Sequence, residues 1–193
     1  IPNAPISTGD TKAGTKIYAP SGAPVWTSPT IDVNRNLLIF GTGENYSSPA
    51  DQNSDAVIAV RLDTGERLWS RQTFPDDAWN VACMMVDNPN CPEEDGPDYD
   101  QASSPLLVDT GDGNIVVVAG QKDGRVFALD WETGQKKLWE VKLGRGSIQG
   151  GVHFGMAADG KTVYVPINDM NDTRNGEWLD PKTARPGVSA IDA

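Results

Sequence analysis

The sequence predicts an all-β protein assembled from repeated units of four short antiparallel strands. Three observations point there. Two stretches, AVRLDTGERLW (59–69) and ALDWETGQKKLW (128–139), are copies of one strand–turn–strand motif. Short apolar runs alternate with turns rich in Gly, Asp and Pro. No run of about ten to fifteen residues carries the apolar period of an amphipathic helix, which speaks against an α/β fold.

Each unit opens on a short segment that enters a turn: TSPTID (27–32), SSPLLVD (103–109) and FGMAADG (154–160). An apolar strand follows, at 37–40, 114–119 and 162–166. A loop leads to a third strand, which ends on a Thr-Gly turn and returns as a strand bearing Trp69 or Trp139. The third copy begins as SAIDA (189–193) and stops before its turn. The turns at 63–65, 123–124 and 159–160 all place Gly after Asp or Thr, where a hairpin needs positive φ. Four strands in about 60–70 residues describe a β-propeller blade, and a propeller closes with four to eight of them. The blade-like units run approximately 21–79, 80–145 and 146–193, the last incomplete. About three blades are therefore expected here, completed by the remaining blades of a longer polypeptide or of another chain. Trp69 and Trp139 are expected to pack between neighbouring blades.

Composition narrows the function. With formal net charge -11 and pI about 4.4, the 193 residues offer no basic stripe to a nucleic acid. No apolar run reaches membrane-spanning length. The single histidine, His153, leaves little for a Ser-His-Asp triad or a His-rich metal site, and local packing or capping suits it better. Cys83 and Cys91 form either a local disulfide, which the Pro-rich acidic loop around Cys91 favours, or a reduced pair. Cys-x-x-Cys-His is absent, so no c-type haem attaches. A first residue Ile1 fits a mature chain, a trimmed chain or a fragment.

The loops between the second and third strands, 41–55, 121–124 and 168–186, emerge on one propeller face, where polar residues from different blades converge. Six motifs there and beside them carry a resemblance: SGAPVWTSPTID (21–32), FGTGENYS (40–47), DDAWNVAC (76–83), CPEEDGPDYDQASSP (91–105), GQKDGRVFALD (120–130) and GGVHFGMAADGKTVYVPINDM (150–170). Together they resemble the pyrroloquinoline quinone (PQQ)-dependent alcohol dehydrogenases, an eight-bladed propeller family, and within it the polyvinyl alcohol dehydrogenase branch.

The resemblance implies roles residue by residue. Trp26 matches the indole floor beneath the planar quinone, a sensible stacking partner. Glu44 or Asn45, after Gly-Thr-Gly, matches a Ca²⁺ ligand, and both offer hard oxygens. Lys122 matches a cation that contacts the quinone oxygens and stabilises charge gathering there. Asn168 matches a polar quinone contact, and Trp79 is a further candidate for the cofactor site. The family carries an Asp directly after that Trp as the base that takes the alcohol proton. Here the position is Asn80, whose neutral amide cannot be a base. Asp77 is the substitute base, or Asn80 orients substrate, or the chain is catalytically impaired. The acidic run 87–100 reads as a solvated loop or as a docking patch for a basic acceptor such as cytochrome c.

The expectation is a PQQ- and Ca²⁺-dependent enzyme, periplasmic or secreted. It oxidises an alcohol, polymeric or secondary by the branch resemblance, and passes electrons to a cytochrome c-type acceptor. The rival is a binding propeller, a scaffold or outer-membrane assembly factor without cofactor. The enzyme requires Trp26, Glu44 and Lys122 to line one pocket, whereas the rival lets them point apart.

Overall fold

A computed structural model describes residues 5–11, 13–19, 21–170 and 182–193. Strands β1 (Ile6–Asp10) and β2 (Lys16–Ala19) form a hairpin that the sequence reading did not anticipate. The rest are three antiparallel sheets. Strands β3 (Thr30–Asp32), β4 (Leu37–Gly41), β5 (Ala56–Arg61) and β6 (Arg67–Gln72) form the first, in that order. Strands β7 (Leu106–Asp109), β8 (Ile115–Gly120), β9 (Arg125–Asp130) and β10 (Lys137–Lys142) form the second. Strands β11 (Ala157–Asp159), β12 (Thr162–Ile167) and β13 (Gly187–Asp192) form the third. The described helical structure is one short 3₁₀ turn, Val81–Met84. No helix among the described residues is long and apolar enough to cross a membrane.

Side-chain alternation explains why the sheets stack. In β8, Val117 and Ala119 face the first sheet and join Leu37, Ile39, Val57, Ala59 and Trp69. Val116 and Val118 face the other way, onto Val163, Val165 and Ile167 of the third sheet. Successive strand residues point to opposite faces, so the continuous run IVVVAG marks a strand covered on both sides.

The repeat motif proves to be an inter-sheet joint. Trp69 of β6 lies 5% exposed in the first core, and its Nε1 donates to the carbonyl of Trp131 at 2.9 Å. Gly134, in the next Thr-Gly turn, sits under that indole with φ 63. A Cβ there would lie 2.2 Å from Trp69 Cε3, so only glycine fits. Trp139 packs half-buried against the second core, between the second and third sheets.

In the first two sheets the turn before the second strand is set by a local carboxylate. Asp32 Oδ1 accepts from the N–H groups of Asn34 and Arg35 at 3.0 and 3.1 Å, and Asp109 Oδ1 accepts from Gly111 N at 2.8 Å. The expected strands at 37–40, 114–119 and 162–166 correspond to β4, β8 and β12, shifted by at most one residue at each end. Of the third loop expected at 168–186, residues 171–181 lie outside the described region.

Candidate active site

All the sequence-level candidates sit at one end of the sheets, where second strands end and first strands are entered. The segment GTGEN continues β4. Its glycines let the chain 98–101 cross at close range: a Cβ on Gly41 would lie 2.4 Å from Gln101 Cβ, and one on Gly43 would lie 2.3 Å from Asp100 Oδ1. The backbone N–H of Glu44 donates to that same Asp100 oxygen at 2.9 Å. Thr42 ties the loop base, its Oγ1 donating to Asn53 O at 2.6 Å and accepting from Ala56 N at 2.9 Å.

Three carboxylates meet as a result. Glu44, Asp98 and Asp100 are 6%, 3% and 3% exposed, and their oxygens lie within 4.8 Å of one another. Lys122, from the β8–β9 turn, closes the cluster. Its Nζ donates to Asp98 Oδ1 at 2.7 Å and lies 2.6 Å from Asp100 Oδ2. The same ammonium stands 5.6 Å from the centre of the Trp26 ring. Trp26 remains 39% exposed and is flanked by His153 at 5.8 Å and Phe154 at 6.0 Å. His153 and Phe154 stack on each other at 4.3 Å, and Phe154 holds φ 68, an outlier for an aromatic residue. An indole, a cation and a carboxylate cluster therefore share one site.

The charges in this cluster are unequal. Burial, a hydrogen bond to Asp100 and the charges of Asp100 and Asp98 push Glu44 up to about 10, so it is protonated at neutral pH. Burial also raises Asp98, to about 7, with Asp100 adding to the rise and Lys122 opposing it. Burial pushes Asp100 up as well, but the hydrogen bond from Glu44 and the Lys122 charge outweigh it and leave the group lowered. Lys122 is raised: burial opposes its charge, and Asp100 and Asp98 overcome that. His153 is lowered, chiefly by burial. One carboxyl is thus poised near neutrality beside a fixed cation, the condition for moving a proton.

The other expected residues frame this cluster. Asn45 is 1% exposed, its Nδ2 donating to Ser21 O at 3.0 Å and its Oδ1 accepting from Asp51 N at 2.7 Å. Its main chain bridges Asp77 and Trp79, with Asn45 N donating to Asp77 O and Trp79 N to Asn45 O. Trp79 is buried at 7%. Asp77 is fully buried and accepts from Asp98 N at 3.3 Å and Tyr99 N at 2.8 Å. Asn80 caps the 3₁₀ turn, accepting from Ala82 N at 2.8 Å and donating to Tyr46 O and Asn90 O at 3.0 and 2.9 Å. Asn168 is exposed and donates to Gln149 O at 2.5 Å, the carbonyl that also meets His153 Nδ1 at 3.3 Å. Cys83 and Cys91 form a disulfide that closes the segment following Asn80.

Sequence reasoning missed Asp98 and Asp100 by treating 87–100 as a single run, either a solvated loop or a docking patch. The run divides: Glu93 and Asp95 lie outside, while Asp98 and Asp100 are buried. A signal was present. The pair alternates Asp-Tyr-Asp between Gly96-Pro97 and the entry to β7, away from the contiguous acids at 93–95. His153, read as packing or capping locally, does stack on Phe154, and its ring also borders Trp26.

The donor set fits a hard divalent cation, with three carboxylates at one point, and the half-exposed indole beside Lys122 fits a flat anionic ring. The sequence is similar to those of known dehydrogenases. Polyvinylalcohol dehydrogenase of a Pseudomonas species is 37% identical over 180 residues, 93% of this chain and 27% of the relative. That of Sphingopyxis sp. (strain 113P3) is 35% identical over 94% of this chain and 27% of the relative. The chain thus spans about a quarter of the length of these curated relatives. Among solved structures, quinohemoprotein alcohol dehydrogenase ADHIIG of Pseudomonas putida HK5 superposes with TM-score 0.60 at 21% identity, over 78% of this chain and 26% of that one, which shows a shared propeller fold. A family model described as PQQ, glucose/ethanol/alcohol dehydrogenase, beta-propeller domain, matches residues 3–145. The chain belongs to this PQQ β-propeller family and forms a fragment of its ring.

Proposed function

We propose that this chain supplies much of the catalytic face of a PQQ-dependent dehydrogenase that oxidises an alcohol. The single observation that carries the reading is the convergence of Trp26, Lys122 and the Glu44–Asp98–Asp100 cluster from separate sheets. A scaffold propeller has no need to bury three carboxylates and a lysine beside a half-exposed indole.

In this reading Trp26 carries the face of the cofactor and Lys122 meets its oxygens. Asn168 and Trp79 frame the site from its edges. Glu44 and Asp100 supply oxygens to Ca²⁺, and Asn45, whose amide is taken up by Ser21 and Asp51, braces the loop that presents Glu44. PQQ, when bound, would supply the acceptor for the hydride of the alcohol carbon, which carries both electrons of the oxidation. Asp98 takes the hydroxyl proton. Its elevated pKa suits that transfer near neutral pH, and Lys122 stabilises the carboxylate before the proton arrives. This assignment gives the base role to Asp98, with Asp77 holding the backbone behind it and Asn80 clasping the adjacent loop. Cation binding must displace the Glu44 proton, so affinity rises with pH.

Polymeric or secondary alcohols are the proposed substrates, from the polyvinylalcohol dehydrogenases that the chain resembles. A cytochrome c-type protein is the proposed acceptor, and its basic surface suits the exposed acids of 87–95. The disulfide suits a periplasmic or secreted location.

The test is a PQQ titration of the full-length protein with Ca²⁺, followed by tryptophan fluorescence, for wild type and Trp26→Ala. Saturable quenching that the variant loses is expected. A folded protein that binds no PQQ sinks the reading in favour of the scaffold.

A further inference from the structure

One fully buried ionisable group is left unused by that mechanism. Asp55 immediately precedes β5, is 0% exposed, and neither of its carboxyl oxygens has a hydrogen-bond donor among the described residues. It cannot swing out. Its N–H donates to Gly43 O at 3.0 Å, and its carbonyl accepts from Thr73 N at 2.9 Å and Thr73 Oγ1 at 2.7 Å. Its φ of 47 is a left-handed value that Asp and Asn tolerate. The charged groups acting on it, Asp77, Asp100 and Glu44, are all acids, and burial together with them holds its carboxyl well above the usual range.

Asp77 faces it. This residue is also 0% exposed, and each of its oxygens already holds a backbone N–H, one of Asp98 and one of Tyr99. Two fully buried carboxyls in contact do not both carry charge. Asp77 already accepts two backbone N–H groups and Asp55 accepts none, so the negative charge is better held on Asp77 and the proton falls to Asp55. A protonated Asp55 gains the partner it otherwise lacks, because Asp77 is an acceptor within its reach.

We propose that Asp55 is a protonated positioning residue that donates to the Asp77 carboxylate, so that Asp77 fixes the backbone which aims Asp98 at the alcohol. The positioning role rests on the assignment of Asp98 as proton acceptor. Asp55 reaches the reaction only through two intermediaries, yet it stands where two site loops join: its main chain binds Gly43, next to Glu44, and its side chain lies against Asp77, which holds the backbone of Asp98 and Tyr99. Its neutrality also keeps a further negative charge away from Asp98 and Asp100.

The experiment compares wild type, Asp55→Asn, Asp55→Gly and Asp77→Asn in the full-length, Ca²⁺- and PQQ-loaded protein. Asn and Gly both accept the left-handed backbone, but only Asn restores a donor toward Asp77. Asp55→Gly and Asp77→Asn are expected to lower kcat about 10- to 100-fold with KM within about 3-fold, the cost of a displaced catalytic group. Asp55→Asn is expected to recover most of that loss. Infrared spectroscopy at neutral pH should show a protonated-carboxyl component in wild type that Asp55→Asn removes. Equal damage from Asp55→Asn and Asp55→Gly, or an unchanged infrared component, overturns the proposal. If Asp55→Gly does not fold, Asp77→Asn takes its place in the comparison. A wild-type protein that binds no PQQ and does not turn over overturns the site reading and the positioning role with it, while the infrared component still decides the shared proton.

Discussion

Asp98 and Lys122 meet at 2.7 Å inside the protein, and most of the chemistry proposed here depends on how that pair shares charge. Asp98→Asn removes the proton acceptor while keeping shape, so kcat should fall about 10²- to 10⁴-fold, read by steady-state kinetics with cofactor saturating. Lys122→Gln removes the charge that holds Asp98 down. Its pKa then rises above about 7, and the acid limb of kcat/KM should move to higher pH. Thermal stability reports the same groups. Glu44, Asp98, Asp55 and Asp77 are all raised in the fold, with Asp100 lowered. A raised carboxyl binds more protons folded than unfolded, so its stabilising contribution is present below the unfolded value near 4.5 and is lost as pH climbs through the folded value near 10 for Glu44. The Tm of cation-free protein should therefore decline between about pH 5 and about pH 9. Added Ca²⁺ should raise Tm more at the alkaline end, and a Tm that rises with pH in its absence would contradict the buried-acid account.

Among the elements, the GTGEN loop and the tryptophan turn each show why a short motif recurs. Gly43 is needed because Asp100 lies where a Cβ would go. Gly43→Ala should shift Asp100, weaken Ca²⁺ binding at least several-fold by calorimetry, and cost about 1–3 kcal/mol of stability. The tryptophan turn is structural, joining two sheets by packing and by the Trp69 Nε1 bond to Trp131 O. Trp69→Ala opens the core between the first and second sheets and should cost about 3–5 kcal/mol in denaturant unfolding. PQQ affinity should then fall only in step with the folded fraction, because Trp69 belongs to the joint and Trp26 to the site. The repeat was readable because a blade must reuse the same turn wherever it meets its neighbour. The β1–β2 hairpin was not, since its pattern, exposed along β1 and at half of β2, lacks the alternating apolar face that marks a strand.

For the whole molecule, the described sheets stack side by side, and the middle one is covered on both faces. We expect further blades to cover the outer faces of the first and third sheets and to complete the cofactor site. The 193-residue chain alone should then give no PQQ-dependent turnover, while the full-length protein does. Robust activity of the isolated chain would overturn that expectation.

Sequence alone determined the repeat and the all-β class, and it singled out several of the polar residues that the fold gathers at the candidate site. These depend on periodicity and on turn chemistry, which are local and leave a mark within a few residues. The pairing of Glu44 with Asp98 and Asp100 across more than fifty positions, the burial that raises two of these carboxyls, and the Asp55–Asp77 contact were decided by tertiary structure. Charge and hydropathy read Asp98 as one more solvated acid. Only the fold removes its water and places Lys122 beside it, and a carboxyl's working pKa follows from those two things.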